Sequence, residues 1–211
     1  MYLKALKNIF IQNRVYFLAY LLFLAAGLIV QFSIPQFEIT LFINGLHNES
    51  FDLFFKTITD LGDGIFATAV VLIIILFRRK YWLSAILSFS LSSLFTQFLK
   101  HYAFPEKFRP GMLMKNFSQL HYVDGVYMNE LNSFPSGHST TAFAVFTFII
   151  LMNQTKKYQI LFLILATLIG FSRIYLLQHF FEDVISGSFI GVVFSVLIFS
   201  FFEMLELKKE K

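Results

Sequence analysis

The sequence predicts an all-α, polytopic membrane protein: six transmembrane helices in a bundle, one interfacial helix, and a long extracytoplasmic loop. Three observations point there. Hydrophobic residues make up 57% of the 211-residue chain against 14% charged, with a mean hydropathy of +0.68. That balance is far from an ordinary soluble domain. Apolar runs recur along the chain at lengths suited to crossing a bilayer as helices, where every backbone polar group must be satisfied internally. The lysines and arginines collect between those runs.

The elements follow in order. Residues 15–33 form the first run, preceded by Lys4, Lys7 and Arg14 and lacking a small-residue cleavage site, so it reads as a signal anchor. Residues 34–63 lie outside the runs and contain "NESFDLFFKTITDLGDG". There Phe51, Phe54, Phe55 and Ile58 recur at helical spacing with Asp52, Lys56 and Thr59 between them. This pattern fits an amphipathic helix in the membrane interface, and equally a connecting helix packed on the bundle. Residues 64–77 form the second run, Arg78, Arg79 and Lys80 follow, and residues 81–99 form the third. The segment 100–134 holds two of the four prolines and is too long for a simple connector. Residues 139–152, 158–172 and 184–202 complete the set, with Lys156 and Lys157 between the fourth and fifth. Runs two, four and five reach spanning length only by borrowing polar neighbours at one end, which singles those neighbours out. The whole chain, 1–211, reads as a single domain without internal repeats.

Eleven of the seventeen basic residues, Lys4, Lys7, Arg14, Arg78, Arg79, Lys80, Lys156, Lys157, Lys208, Lys209 and Lys211, fall on one side of this arrangement. The positive-inside rule assigns that side to the cytoplasm, with both termini there. The other six, Lys56, Lys100, Lys107, Arg109, Lys115 and Arg173, fall on the outer face. A bacterial inner membrane, with the site facing the periplasm, is the expected location. The net charge of +4 is thus distributed by topology, and no nucleic-acid partner is expected. The absence of cysteine excludes a disulfide framework, a thiol nucleophile and a zinc–thiolate site.

Three polar clusters gather at the outer ends of the runs: "LKHYAFPEKFRP" with Lys100 and Arg109, "PSGH" at 135–138, and "SRIYLLQHFFED" with Arg173, His179 and Asp183. Each has a plain explanation alone. Lysine and arginine at span ends snorkel to headgroups, a lone interfacial histidine is ordinary, and Asp183 can cap the last helix. Three cations, two histidines and a carboxylate on one face make a different case. His179 and Asp183 are four residues apart and share a face if both are helical. An aspartate there accepts from Nδ1 and leaves Nε2 free. A helix start at Ser136 and Gly137 offers unpaired N–H groups to an anion, glycine allowing close approach. Arg109 and Arg173 can grip phosphate oxygens and Lys100 can add a point charge.

These parts describe covalent phosphoryl transfer: His179 attacks phosphorus, the cations neutralise the spreading charge, and His138 protonates the leaving group and then activates water. No tight carboxylate or Cys/His ligand cluster appears, so neither a metal nor another cofactor is expected.

The three clusters resemble the signature of the type 2 phosphatidic acid phosphatase family, which includes membrane lipid phosphatases and soluble haloperoxidase relatives. Pro-Ser-Gly-His matches at 135–138, and Ser-Arg-x5-His-x3-Asp matches from Ser172 to Asp183. The first motif is usually Lys-x6-Arg-Pro; here eight residues separate Lys100 from Arg109, which reads as a two-residue insertion. The resemblance spans about 60–202. It implies phosphate binding by Lys100, Arg109, Ser136, Gly137 and Arg173, with His138 as general acid, His179 as nucleophile and Asp183 as its orienter. It implies a lipid phosphomonoesterase or pyrophosphatase acting on an undecaprenyl pyrophosphate, phosphatidylglycerol phosphate, phosphatidic acid or lipid A type of substrate. A phosphotransferase with the same intermediate and a non-catalytic transporter or scaffold remain alternatives; the intact histidines count against the last.

Overall fold

A computed structural model describes residues 1–153 and 156–209; Lys211 and the side chain of Lys156, both counted with the inner-face cations, lie outside that description. The described residues hold ten α-helices and no strand. They are α1 (Tyr2–Gln12), α2 (Arg14–Ser33), α3 (Gln36–Asn44), α4 (Glu49–Ile58), α5 (Gly64–Phe77), α6 (Trp82–Phe98), α7 (Pro110–Leu113), α8 (Gly137–Met152), α9 (Gln159–Tyr175) and α10 (Phe181–Lys209).

Among the described residues, length and composition alone qualify three helical stretches to cross a membrane: Arg14–Ser33, Arg79–Ala103 and Phe181–Lys209. A fourth exists if Glu49–Gly62 and Gly64–Phe77, bent by 53° at their junction, count as one broken span. The apolar helices α8 and α9 have 16 and 17 residues. At 1.5 Å per residue they measure about 25 Å, short of a ~30 Å hydrocarbon core.

The sequence pattern explains who sits inside. On α2, Leu18, Leu22 and Phe32 are exposed, as suits a lipid-facing surface. On α8 the apolar residues run all round, and the helix is buried along most of its length between α6, α9 and α10. Small residues let these helices approach. Ser84, Ser88, Ser92 and Thr96 form a buried i, i+4 row on α6. Gly187 and Gly191 form a G-x-x-x-G step on α10. A Cβ on Gly187 would come within 2.5 Å of the Ser136 carbonyl, and one on Gly191 would overlap the Thr140 carbonyl. Interhelical hydrogen bonds tie the layers: the Thr96 hydroxyl to that of Thr140 (3.1 Å), Ser195 to the Ala144 carbonyl (3.0 Å), and the hydroxyls of Tyr16 and Thr147 (2.5 Å).

The outer segment holds two helices where the sequence pattern indicated one. Asn48 starts α4 by accepting from the Phe51 N–H (3.0 Å). Of its five apolar residues, Phe55 and Ile58 are buried, with Phe55 against Tyr175 and Phe171, while Phe51, Leu53 and Phe54 are exposed. The helix thus packs on α9 along one edge and keeps an uncovered apolar edge beside it. At the opposite end of the bundle, Lys80 pairs with Glu203 (3.8 Å), which places the start of α6 beside the end of α10.

Candidate active site

Lys100, Arg109, Gly137, His138, Arg173 and His179, all expected from sequence, line one cavity of about 240 Å³ at the end of the bundle away from Lys80. Each arrives from a different local device.

A single π-helical turn, Leu99–Ala103, prolongs α6 and carries Lys100. The buried Lys100 Nζ donates to the carbonyls of Asn132 (2.6 Å) and Ser133 (3.5 Å). The loop then doubles back: the Arg109 N–H donates to Glu130 (2.8 Å) and the Ser133 N–H to Lys107 (2.9 Å). The longer spacing between Lys100 and Arg109 is therefore taken up in the π turn and the turn after it, and both cations reach the same cavity. Arg109 Nε donates to the Leu131 carbonyl (3.0 Å) and its NH1 to Gln178 Oε1 (3.0 Å), so the guanidinium bridges the two loops that frame the site.

His179 lies between α9 and α10, not on a helix. The N–H groups of Gln178 and His179 both donate to the Arg173 carbonyl (2.9 and 3.0 Å), closing α9. Asp183 sits in the first turn of α10 and reaches back to accept from the Phe180 N–H (2.9 Å), one half of a capping box. The same Oδ2 faces His179 Nδ1 (3.2 Å) and accepts from Ser133 Oγ (2.5 Å). The pair thus forms across a helix start and not along a helical face as the i, i+4 spacing implied. Capping and orienting are one arrangement, because the carboxylate that closes α10 also holds the imidazole. With Nδ1–H given to Asp183, Nε2 keeps its lone pair.

Arg173 NH1 donates to Thr59 Oγ1 (2.8 Å), while its Nε is buried with no partner among the described residues. Such an atom costs free energy unless an acceptor arrives. At the start of α8, the Ser136 N–H donates to the Asp183 carbonyl (2.9 Å). Ser136 does not line the cavity: its hydroxyl oxygen accepts from the N–H (3.3 Å) and hydroxyl (2.9 Å) of Ser139, so it serves as the helix cap. The N–H groups of Gly137 and His138 fall in the first turn, where no intrahelical acceptor exists. A Cβ on Gly137 would meet nothing within 4 Å, which leaves open space beside those groups.

Burial and then the charges of Lys100, Arg109 and Arg173 push the His179 imidazole well below its ordinary value near 6.5. It is therefore neutral at neutral pH and fit to act as a nucleophile. Burial also lowers Arg109 from its ordinary value, Asp183 pulling the other way, and the guanidinium stays charged. Among the described residues two non-glycine positions have positive φ, Asn132 and Leu177 (both 56°). Their carbonyls accept from Lys100 and from the Gly111 N–H (3.2 Å) respectively, so this costly backbone geometry is concentrated around the cavity.

Sequence reasoning missed Ser133, Gln178 and Thr59, which hold Asp183, Arg109 and Arg173. Gln178 is a polar residue in an apolar context next to His179, a signal that was visible; Thr59 and Ser133 gave none. The arrangement offers a desolvated nucleophile, fixed cations and free N–H donors, the equipment for displacement at a phosphoryl group. Among the described residues no group of three or more His, Cys, Asp or Glu side chains is placed to hold a metal.

Comparison with known proteins agrees with this chemistry. The family model of the PAP2 superfamily matches residues 81–206. Phosphatidylglycerophosphatase B of Bacillus subtilis is 31% identical over 168 residues, covering 73% of this chain and 76% of that protein. The crystal structure of Aquifex aeolicus LpxE superposes with a TM-score of 0.66 at 26% identity, covering 76% of this chain and 92% of the other. The crystal structure of a transmembrane PAP2-type phosphatidylglycerolphosphate phosphatase from Bacillus subtilis gives 0.62 at 26% identity, covering 93% and 96%.

Proposed function

Since the chain belongs to the PAP2 superfamily and is an integral-membrane phosphatase, we propose that it hydrolyses a phosphorylated lipid at the outer leaflet through a phosphohistidine at His179. The observation that carries this reading is the unpartnered, buried Nε of Arg173 in a cavity shared with Lys100, Arg109 and the neutral His179.

The headgroup phosphate binds between the three cations and the N–H groups of Gly137 and His138. His179 Nε2 forms a bond to phosphorus as the bond to the lipid oxygen breaks, and His138 gives its proton to that oxygen. Asp183 holds Nδ1–H and stabilises the charge the ring acquires. Water then attacks the phosphohistidine, His138 takes its proton, and inorganic phosphate leaves with His179 restored. The cations neutralise the equatorial oxygens in both steps, the service a divalent ion performs elsewhere. The short helices α8 and α9 set the site back from the bilayer surface, within reach of a headgroup whose chains stay in lipid.

Purified protein in detergent with EDTA should release phosphate from lipid phosphates, vanadate should inhibit, and His179→Ala should lose at least about a thousandfold in kcat, as expected when a nucleophile is removed. Activity in His179→Ala within tenfold of the parent would overturn the nucleophile; dependence on added metal would overturn the cation scheme.

A further inference from the structure

Two polar side chains outside the cavity join the same pair of residues. Asn44 ends α3 and is buried. Its Oδ1 accepts from the His121 N–H (2.8 Å), and its Nδ2 donates to the carbonyls of His121 (2.8 Å) and Tyr175 (3.0 Å). Asp52, on α4, joins those residues again through their side chains. One of its oxygens accepts from the Tyr175 hydroxyl and the other from His121 Nε2 (2.7 Å). The His47 ring stacks on His121, centroids 4.1 Å apart and planes 12° apart, and so fixes the plane of that imidazole. One turn along α4, Lys56 donates to the Asp124 carbonyl (2.6 Å), a third tie to the same loop.

The two joined residues lead to different walls of the basic cavity. Tyr175 is the last residue of α9, two after Arg173 and four before His179. His121 belongs to the segment that frames Arg109. Beside it, the Tyr122 hydroxyl donates to the Gly111 carbonyl (3.3 Å). Further on, the Tyr127 carbonyl and the Met128 sulfur accept from Gln178 Nε2 (3.1 and 3.2 Å), and Gln178 Oε1 holds Arg109. Apolar packing of Phe55 on Tyr175 already seats α4 against α9. The polar groups add what that packing lacks, because hydrogen bonds fix distance and angle together.

We propose that Asn44 and Asp52 are positioning residues for phosphoryl transfer: by joining His121 to Tyr175 they set the gap between Arg109 on one wall and Arg173 and His179 on the other. The proposal rests on the phosphohistidine reading above. Neither side chain lines the cavity, so each acts through the residues it joins. The transferring phosphoryl group needs its equatorial oxygens met by every cation at once, a stricter demand than binding the substrate. Slack in the gap therefore lowers kcat and leaves KM near the parent value.

The test measures kcat, KM and the vanadate inhibition constant for Asp52→Ala, Asp52→Asn and Tyr175→Phe, with purified protein in detergent. The substrates are a diacylglycerol phosphate and a prenyl pyrophosphate. Asp52→Ala should lose at least about tenfold in kcat, with KM within about threefold of the parent. Vanadate, whose pentacoordinate form matches the transition state, should bind more weakly by a factor similar to the loss in kcat. Asp52→Asn should recover most of both losses, since its amide can accept from the Tyr175 hydroxyl and donate to the other tautomer of His121. Tyr175→Phe removes one hydroxyl from the bridge and should show the same split to a smaller degree; it decides the matter if Asp52→Ala does not fold. Thermal midpoints establish that each variant is folded at the assay temperature. A lowered midpoint with parent-like kcat and vanadate affinity would overturn the proposal and leave the phosphatase mechanism standing. A raised KM at unchanged kcat would do the same. Parent-like activity in His179→Ala, or no phosphate released by the parent from either lipid, would overturn the phosphohistidine reading and the proposal with it.

Discussion

His179 shows how far burial can set a side chain's chemistry. It is 2% exposed, and burial followed by the charges of Lys100, Arg109 and Arg173 makes the folded state resist protonating it. The unfolded chain protonates an ordinary histidine below about 6.5, whereas the folded protein keeps His179 neutral to lower pH. The stability this group contributes is therefore present above pH 6.5 and lost as the pH falls toward the folded value. While the two states differ by one proton, the loss approaches about 1.4 kcal/mol per pH unit. Thermal midpoints measured from pH 7.5 to 5 in detergent should fall more steeply for the parent than for His179→Asn, which cannot titrate. Parallel curves would contradict the depressed histidine. The residues around it are legible in sequence to unequal degrees. His138, Arg173, His179 and Asp183 stood out because charged groups at the ends of apolar runs are costly. Thr59, Ser133 and Gln178 act by distance alone, and their partners are 114, 50 and 69 residues away.

Among the elements, α8 and α10 decide whether His138 meets His179 and Asp183. Gly187 and Gly191 bring the α10 backbone against the first turns of α8, close enough for the Ser136 N–H to reach the Asp183 carbonyl at 2.9 Å. That contact docks the start of α8 beside the loop that carries His179. Apolar patterning showed that both helices exist, yet it is blind to their crossing, since any apolar face can meet another. The G-x-x-x-G step was readable at 187–191 and is the local reason for the close approach. Gly191→Ala forces a Cβ into the Thr140 carbonyl and should cost about 1–3 kcal/mol, as overpacking does. It should lower the thermal midpoint and reduce kcat, because displacing α10 shifts Asp183 and His179 relative to His138. A variant with parent-like midpoint and activity would show that the crossing has slack.

For the whole molecule, the basic cavity and the Lys80–Glu203 pair occupy opposite ends of α6. The charge distribution then predicts that the cavity end faces outward, with six crossings between. The chain has no cysteine, so single cysteines make clean reporters. In intact cells, Lys115→Cys and Glu130→Cys should react with a membrane-impermeant maleimide, whereas Arg79→Cys and Lys208→Cys should react only after permeabilisation. The reverse pattern would invert the topology. Labelling of Lys115→Cys and Arg79→Cys from the same side would break the crossing scheme between them.

The sequence by itself determined the helical class, the family and the identity of the charged residues, because burying a charge or interrupting an apolar run is costly enough to be visible in one dimension. It did not determine the pairing geometry of His179 and Asp183, or the holding of Arg109 by Gln178 and of Arg173 by Thr59. Those depend on which helix faces touch and at what angle. That outcome is set by small residues and long-range hydrogen bonds whose energies appear only once the chain has folded.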